Sequence, residues 1–157
     1  MTTKLAQRAY DAKKLVEDSS FKQRAKKLES IGELGFALIL YWNQIEVALK
    51  LMYYDYKIKD GWPDKLNFIN TTWKPLSQLK ANDLLKFNLI LSSSNDSLWK
   101  LRNKIAHQGD NTLPITEYEK YVEAAQWVTA QLKQKVPNLE RVRDKKRHSD
   151  AQLHRIK

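Results

Sequence analysis

Residues 30–56 leave this chain little choice of fold. Leu34, Leu38, Tyr41/Trp42, Ile45, Leu49, Met52 and Tyr56 recur every three to four positions, the period of an α-helix with one buried stripe. Between Gly35 and Trp42 the apolar residues go most of the way round, so this part must be covered on more than one side. The centre of a bundle or a subunit interface would do it. Ser30-Ile31-Gly32-Glu33 has the form of a capping box and predicts the start of the helix.

The rest of the chain supplies neighbours for that helix. Residues 4–18 place Leu5, Ala9, Ala12 and Val16 on a narrow seam, which predicts a polar helix that packs loosely. Ser20 and Gln23 form a capping box for a basic stretch with Phe21, Ala25 and Leu28 inward. Asp60-Gly61-Trp62-Pro63 is a turn signal, followed by an irregular connection studded with Trp62, Phe68, Trp73 and Leu76 and broken by Pro63 and Pro75. Helical spacing returns over residues 77–91, with Leu79, Leu84/Leu85, Phe87 and Leu91 inward. Asn95-Asp96 predicts the N-cap of a helix over residues 98–109. Thr116-Glu117-Tyr118-Glu119 is a third capping box. It opens a helix to about Lys135 with Tyr118, Tyr121/Val122, Ala125, Val128/Thr129 and Leu132 inward, closed by Pro137.

No stretch alternates as a strand does, so the expected class is all-α, a bundle of four to five helices. The expected organisation is an N-terminal helical segment (1–29), a bundle (30–136) and a basic tail (137–157). Cysteine is absent, and three histidines are scattered along 157 residues. Neither a disulfide framework nor a thiolate or His-based metal cage is expected, and no cofactor. Without an apolar leader, and with the longest apolar run at residues 34–42, the chain is expected to be cytoplasmic with no membrane partner. The net charge of +10, from 28 Lys and Arg against 18 Asp and Glu, favours a polyanion such as nucleic acid, or an acidic protein.

The chemistry concentrates in Leu98-Trp99-Lys100-Leu101-Arg102-Asn103-Lys104-Ile105-Ala106-His107-Gln108-Gly109. Leu98, Leu101 and Ile105 form an apolar face, and at about 100° per residue Arg102 lies roughly 40–60° from its middle. His107 falls roughly 180° away, with Asn103 on nearly the same side. Gly109 is placed to end the helix in the left-handed conformation, leaving His107 in the final turn, where the helix dipole favours a cation. Arg102 thus flanks the core, and His107 looks outward.

The string Arg102-Asn103-Lys104-Ile105-Ala106-His107 resembles the signature of HEPN (higher eukaryotes and prokaryotes nucleotide-binding) domains: Arg, a polar residue, about three more, then His. The resemblance covers roughly residues 30–136, although only six residues are diagnostic. Arg143/His148, Arg141/His148 and Arg147/His154 also fit Arg-x(4–6)-His. Only the first match has Asn after Arg, a small residue before His and a helix stop behind it. The resemblance implies a small helical bundle that dimerises and acts as a metal-independent endoribonuclease, with Arg102 and His107 of both subunits facing one another. Such domains serve as toxins of toxin–antitoxin or antiphage systems, which implies RNA, a second copy and an antitoxin or other regulatory protein as partners.

Metal-free RNA cleavage needs a base for the ribose 2′-OH, an acid for the leaving 5′-oxygen and positive charge on the phosphate. Imidazole and guanidinium cover these roles, and a twofold dimer presents the second His that one subunit lacks. Asn103, Lys100 and Lys104 are candidates for substrate binding, and Glu46 for an auxiliary role. A plainer account stands beside each. Arg102 could snorkel or pair with a buried carboxylate, His107 and Asn103 could be solvated helix residues, and Glu46 could pair with Lys50 at i+4. Lys100 and Lys104 could only solvate the surface. Trp42, Trp73, Trp99, Trp127 and the Tyr53-Tyr54 pair could stack on bases or fill core and interface. The alternative to an enzyme is a non-catalytic HEPN-like module for dimerisation, partner docking or nucleic-acid binding.

Overall fold

The computed structural model describes residues 7, 10, 11, 14, 15, 20–56, 74–109 and 113–135. Side chains of residues 53–56 and 74–75 are not among what is described. The expected irregular connection from Asp60 lies outside the described residues as far as Trp73, and so does the basic tail; the end of that connection, with Pro75 and Leu76, is instead the first turn of a helix over Lys74–Asn82, where Pro is tolerated. Most of the first predicted helix also lies outside the described residues; of it, residues 7, 10, 11, 14 and 15 are helical.

Among the described residues from Ser20 on, six helices follow in order: α1 (Ser20–Ser30), α2 (Leu34–Tyr56), α3 (Lys74–Asn82), α4 (Leu84–Leu91), α5 (Leu98–Gln108) and α6 (Ile115–Lys133). No strand occurs among the described residues, and the class is all-α. α2 is the centre, packed against α1, α5 and α6, while α6 also packs on α4. Leu38, Trp42, Ile45 and Leu49 of α2 meet Ala125, Val128 and Leu132 of α6 in one core, all of them fully buried. Phe21 and Ala25 of α1 belong to the same core. The helices within one chain cover most of residues 35–42; Phe36 alone is exposed there. Leu34–Met52 has the length and mean hydropathy of a membrane span, but 61% of it is buried inside the bundle, as a core helix requires.

Other helix boundaries differ from the sequence expectations for local reasons as well. Ser30 does not cap α2; it is the last residue of α1. There Gly32 takes φ +79°, and its N–H and that of Glu33 bond back to the carbonyls of Glu29 (3.1 Å) and Leu28 (2.9 Å). This is a Schellman ending. Residues 77–91 are not one helix, because Asp83 adopts an extended backbone and its carboxylate accepts the Lys86 N–H at 3.1 Å, capping α4 afresh. The break re-phases the stripe, leaving Leu84 and Leu85 exposed while Phe87, Ile90 and Leu91 go inside. α6 begins at Ile115, after Pro114 and without a side-chain cap, since Pro pre-sets its backbone and has no N–H to satisfy. Ser97, rather than Asn95 or Asp96, caps α5 by accepting the Lys100 N–H.

One polar contact closes the bundle on the α1 side. The buried Tyr118 hydroxyl donates to the Glu29 carboxylate, tying α6 to α1, and Tyr41 sits nearby edge-on to Phe21 at 5.9 Å. Burial, and then the Glu29 carboxylate, push the Tyr118 phenol far above its usual range, and the same two causes raise Tyr41.

Candidate functional site

α5 carries the residues singled out in the sequence, and both its ends are fixed. Ser97, fully buried, caps the start. Gly109 at φ +63° ends the helix, its N–H bonded to the Ile105 carbonyl at 3.0 Å. Tyr121 of α6 donates to the Asp96 carbonyl at 2.6 Å and anchors the preceding loop. Leu98 and Ile105 are buried and Leu101 half-buried, so the rotation of α5 about its axis is set by packing.

That rotation turns Arg102 toward α2. Its guanidinium carbon lies 5.6 Å from the centre of the Trp42 ring, within cation–π range. One terminal nitrogen is 3.8 Å from Glu46 Oε1, and the other donates to Asn103 Oδ1 at 2.8 Å. Glu46 Oε1 also lies 3.7 Å from the Lys50 ammonium. A charge-assisted hydrogen bond measures about 2.7–2.9 Å, so the carboxylate rests between two cations without gripping either. The Arg102 Nε and the Trp42 Nε1, both buried, have no hydrogen-bond partner among the described residues. Because the Nε is closed off from solvent, an anion could meet this guanidinium only at its terminal nitrogens, which face Asn103 and Glu46.

His107 is not part of this cluster. It is exposed in the last turn of α5, with no hydrogen bond or ion pair to the described residues. Around the helix it lies roughly 140° from Arg102. Within one chain, then, the structure brings together Arg102, Asn103, Glu46, Lys50 and Trp42, and leaves His107 apart. Asn103 turns its amide oxygen to Arg102 and so belongs with the cation. Glu46 makes the expected i+4 pair with Lys50 and also reaches Arg102, which the sequence reading did not join to it. The signal was present, since Trp42 and Glu46 stand four apart on one helix face. Lys100 packs its ammonium 4.5 Å over Trp99, and Lys86 lies 5.9 Å over Trp127. These two half-buried indoles and the fully buried Trp42 serve packing. Lys104 is exposed at the rim of a small pocket between α5 and α6.

Fold and site together define a helical bundle bearing a guanidinium–carboxylate–indole cluster, with an exposed imidazole on the same helix. No protein-family model, no curated protein and no solved structure matches the chain.

Proposed function

We propose that the protein is a metal-independent endoribonuclease of HEPN type, working as a homodimer whose α5 helices face one another. In this reading Arg102 binds the scissile phosphate through its terminal nitrogens, displacing the loose Glu46 contact, and His107 of the two subunits supplies base and acid. Asn103 holds the guanidinium in plane, Lys100 attracts the RNA backbone, and Lys104 meets the RNA beside it. A toxin of a toxin–antitoxin or antiphage system, checked by an antitoxin or similar regulatory protein, is the setting this activity suits.

The observation that carries the proposal is the unequal treatment of the motif's two residues. Arg102 is held among Trp42, Glu46 and Asn103, while His107 is left exposed, with no hydrogen bond or ion pair to the described residues. RNA cleavage in EDTA tests it. The parent protein cleaves, His107→Ala does not, and light scattering shows a dimer. A fully active monomer at micromolar concentration overturns the composite site.

One observation favours a second reading, a non-catalytic HEPN-like module for docking a partner or nucleic acid. Arg102 is also the ion-pair partner of Glu46 across α2 and α5, the role a structural arginine takes. If Arg102→Ala unfolds the bundle and the parent binds RNA without cleaving it, this second reading is the correct one.

A further inference from the structure

The rim position of Lys104 leads to a feature that the motif does not use. Between α5, α6 and the loop before α5 lies a cavity of about 260 Å³. That is just under the usual range for drug-sized ligands, and it suits one planar base better than a longer ligand. Its apolar walls include Leu101 and Pro114. Three polar side chains converge on it from three different segments: Asn95 from the loop, Lys104 from α5 and Glu117 from α6.

None of the three has a side-chain hydrogen bond or ion pair within the described residues, although an ammonium and a carboxylate share one cavity. Behind them, the Tyr121 hydroxyl is bonded to the Asp96 carbonyl at 2.6 Å, which fixes the loop to α6 and makes the cavity floor rigid. Glu117 and Tyr121 line the same cavity, and the Tyr121 phenol is raised by burial and then by the charges of Asp96 and Glu117. Lys104 and His107 are three apart on α5, about 5–6 Å between their Cβ atoms.

We propose that this cavity is a base subsite that seats guanine from single-stranded RNA, one helical turn from His107. Guanine fits the three groups in a way no other base does. Its N1–H and N2–H₂ are adjacent donors that one carboxylate, Glu117, accepts together, and its O6 and N7 are acceptors for the Lys104 ammonium and the Asn95 amide. Adenine and uracil place a ring acceptor or carbonyl against the carboxylate, and cytosine offers it one amino group. The base planes lie between Leu101 and Pro114, apolar surfaces that every base tolerates, so selectivity comes from the edge contacts. The assignment rests on the ribonuclease reading for its substrate, and it gives that reading a sequence preference.

Titration calorimetry of the full chain with the four nucleoside 3′-monophosphates tests it, alongside Glu117→Gln, which replaces one acceptor by a donor. Guanosine 3′-monophosphate should bind tighter than the other three by about tenfold or more. In Glu117→Gln that preference should vanish while affinity for inorganic phosphate stays the same. Lys104→Met, a second variant at an independent wall, should also lower the preference. Equal binding of all four nucleotides, or a preference that survives Glu117→Gln, overturns the subsite. Selective guanosine binding by a chain that cleaves no RNA keeps the subsite and refutes the ribonuclease. RNA cleavage with no base preference does the reverse.

Discussion

Two carboxylates reach across the bundle to a partner on another helix, and they are handled in opposite ways. Glu29 takes the hydroxyl of a buried tyrosine, Tyr118, in a close bond that leaves the phenol satisfied. Glu46 lies 3.8 Å from a guanidinium and 3.7 Å from an ammonium, and the guanidinium keeps a buried Nε without a hydrogen-bond partner among the described residues. A saturated contact holds two helices together, since breaking it strands a charge out of water. A loose one leaves the terminal nitrogens of the guanidinium able to change partners at little cost. The first contact is where the fold is fastened, and the second is where the proposed function has an oxyanion land.

If that division is right, substitutions at the two contacts should fail in different assays. The largest effect is expected at α5: His107→Ala and Arg102→Ala should each lower RNA cleavage by roughly 10²–10⁴-fold. His107→Ala should leave the melting curve unchanged, and Arg102→Ala should cost about 1–2 kcal/mol for a loose, half-buried ion pair and its cation–π contact. Far-UV spectra of both variants check that the helices persist. Unfolding of Arg102→Ala would erase the contrast and make both contacts structural.

Next in size is Tyr118→Phe, which leaves the Glu29 carboxylate half-buried without its donor. It should cost about 1–3 kcal/mol by denaturant titration, with cleavage per folded molecule unaffected.

Alkaline pH sharpens the same point. The Tyr118, Tyr41 and Tyr121 phenols are all raised by burial, so the unfolded chain releases its tyrosine protons first. Their stabilisation is complete below about pH 10, the unfolded value, and is lost as pH rises from there toward the folded values. Stability should therefore fall steeply above pH 10, and less steeply in Tyr118→Phe. A flat alkaline limb in the parent would mean the phenols are not enclosed in solution. Smallest of all, Lys50→Ala should change stability by no more than about 0.5 kcal/mol, because Glu46 retains Arg102.

The sequence disclosed the long apolar helix, the inward face of α6, the orientation of α5 and its Gly109 stop, because each follows from period or from one residue's allowed backbone. It misplaced boundaries where two signals overlapped. Ser30 and Glu33 have capping-box spacing, but Gly32 between them enforces a helix ending, and only the chain's reversal decides which prevails. Asp83 lies inside a helical period, and its capping of Lys86 outcompetes helix continuation. The Tyr118–Glu29 bond joins residues 89 apart in sequence, beyond anything periodicity can pair. Arg102 was legible as a core-flanking cation, whereas its seat on Trp42 needed the packing of α5 on α2. The exposure of Leu84 and Leu85 likewise follows from the break at Asp83, which re-phases everything after it.

The most direct measurement for the loose contact is the chemistry of the RNA ends produced in EDTA. Attack by the RNA's own 2′-OH, with Arg102 on the phosphate and His107 moving the protons, predicts a 2′,3′-cyclic phosphate on the 5′ fragment and a free 5′-OH on the 3′ fragment. DNA and 2′-O-methyl RNA should be inert, and binding should weaken steeply with salt. Cleavage that requires magnesium, leaves a 3′-OH or proceeds equally on DNA would contradict the roles given to Arg102 and His107.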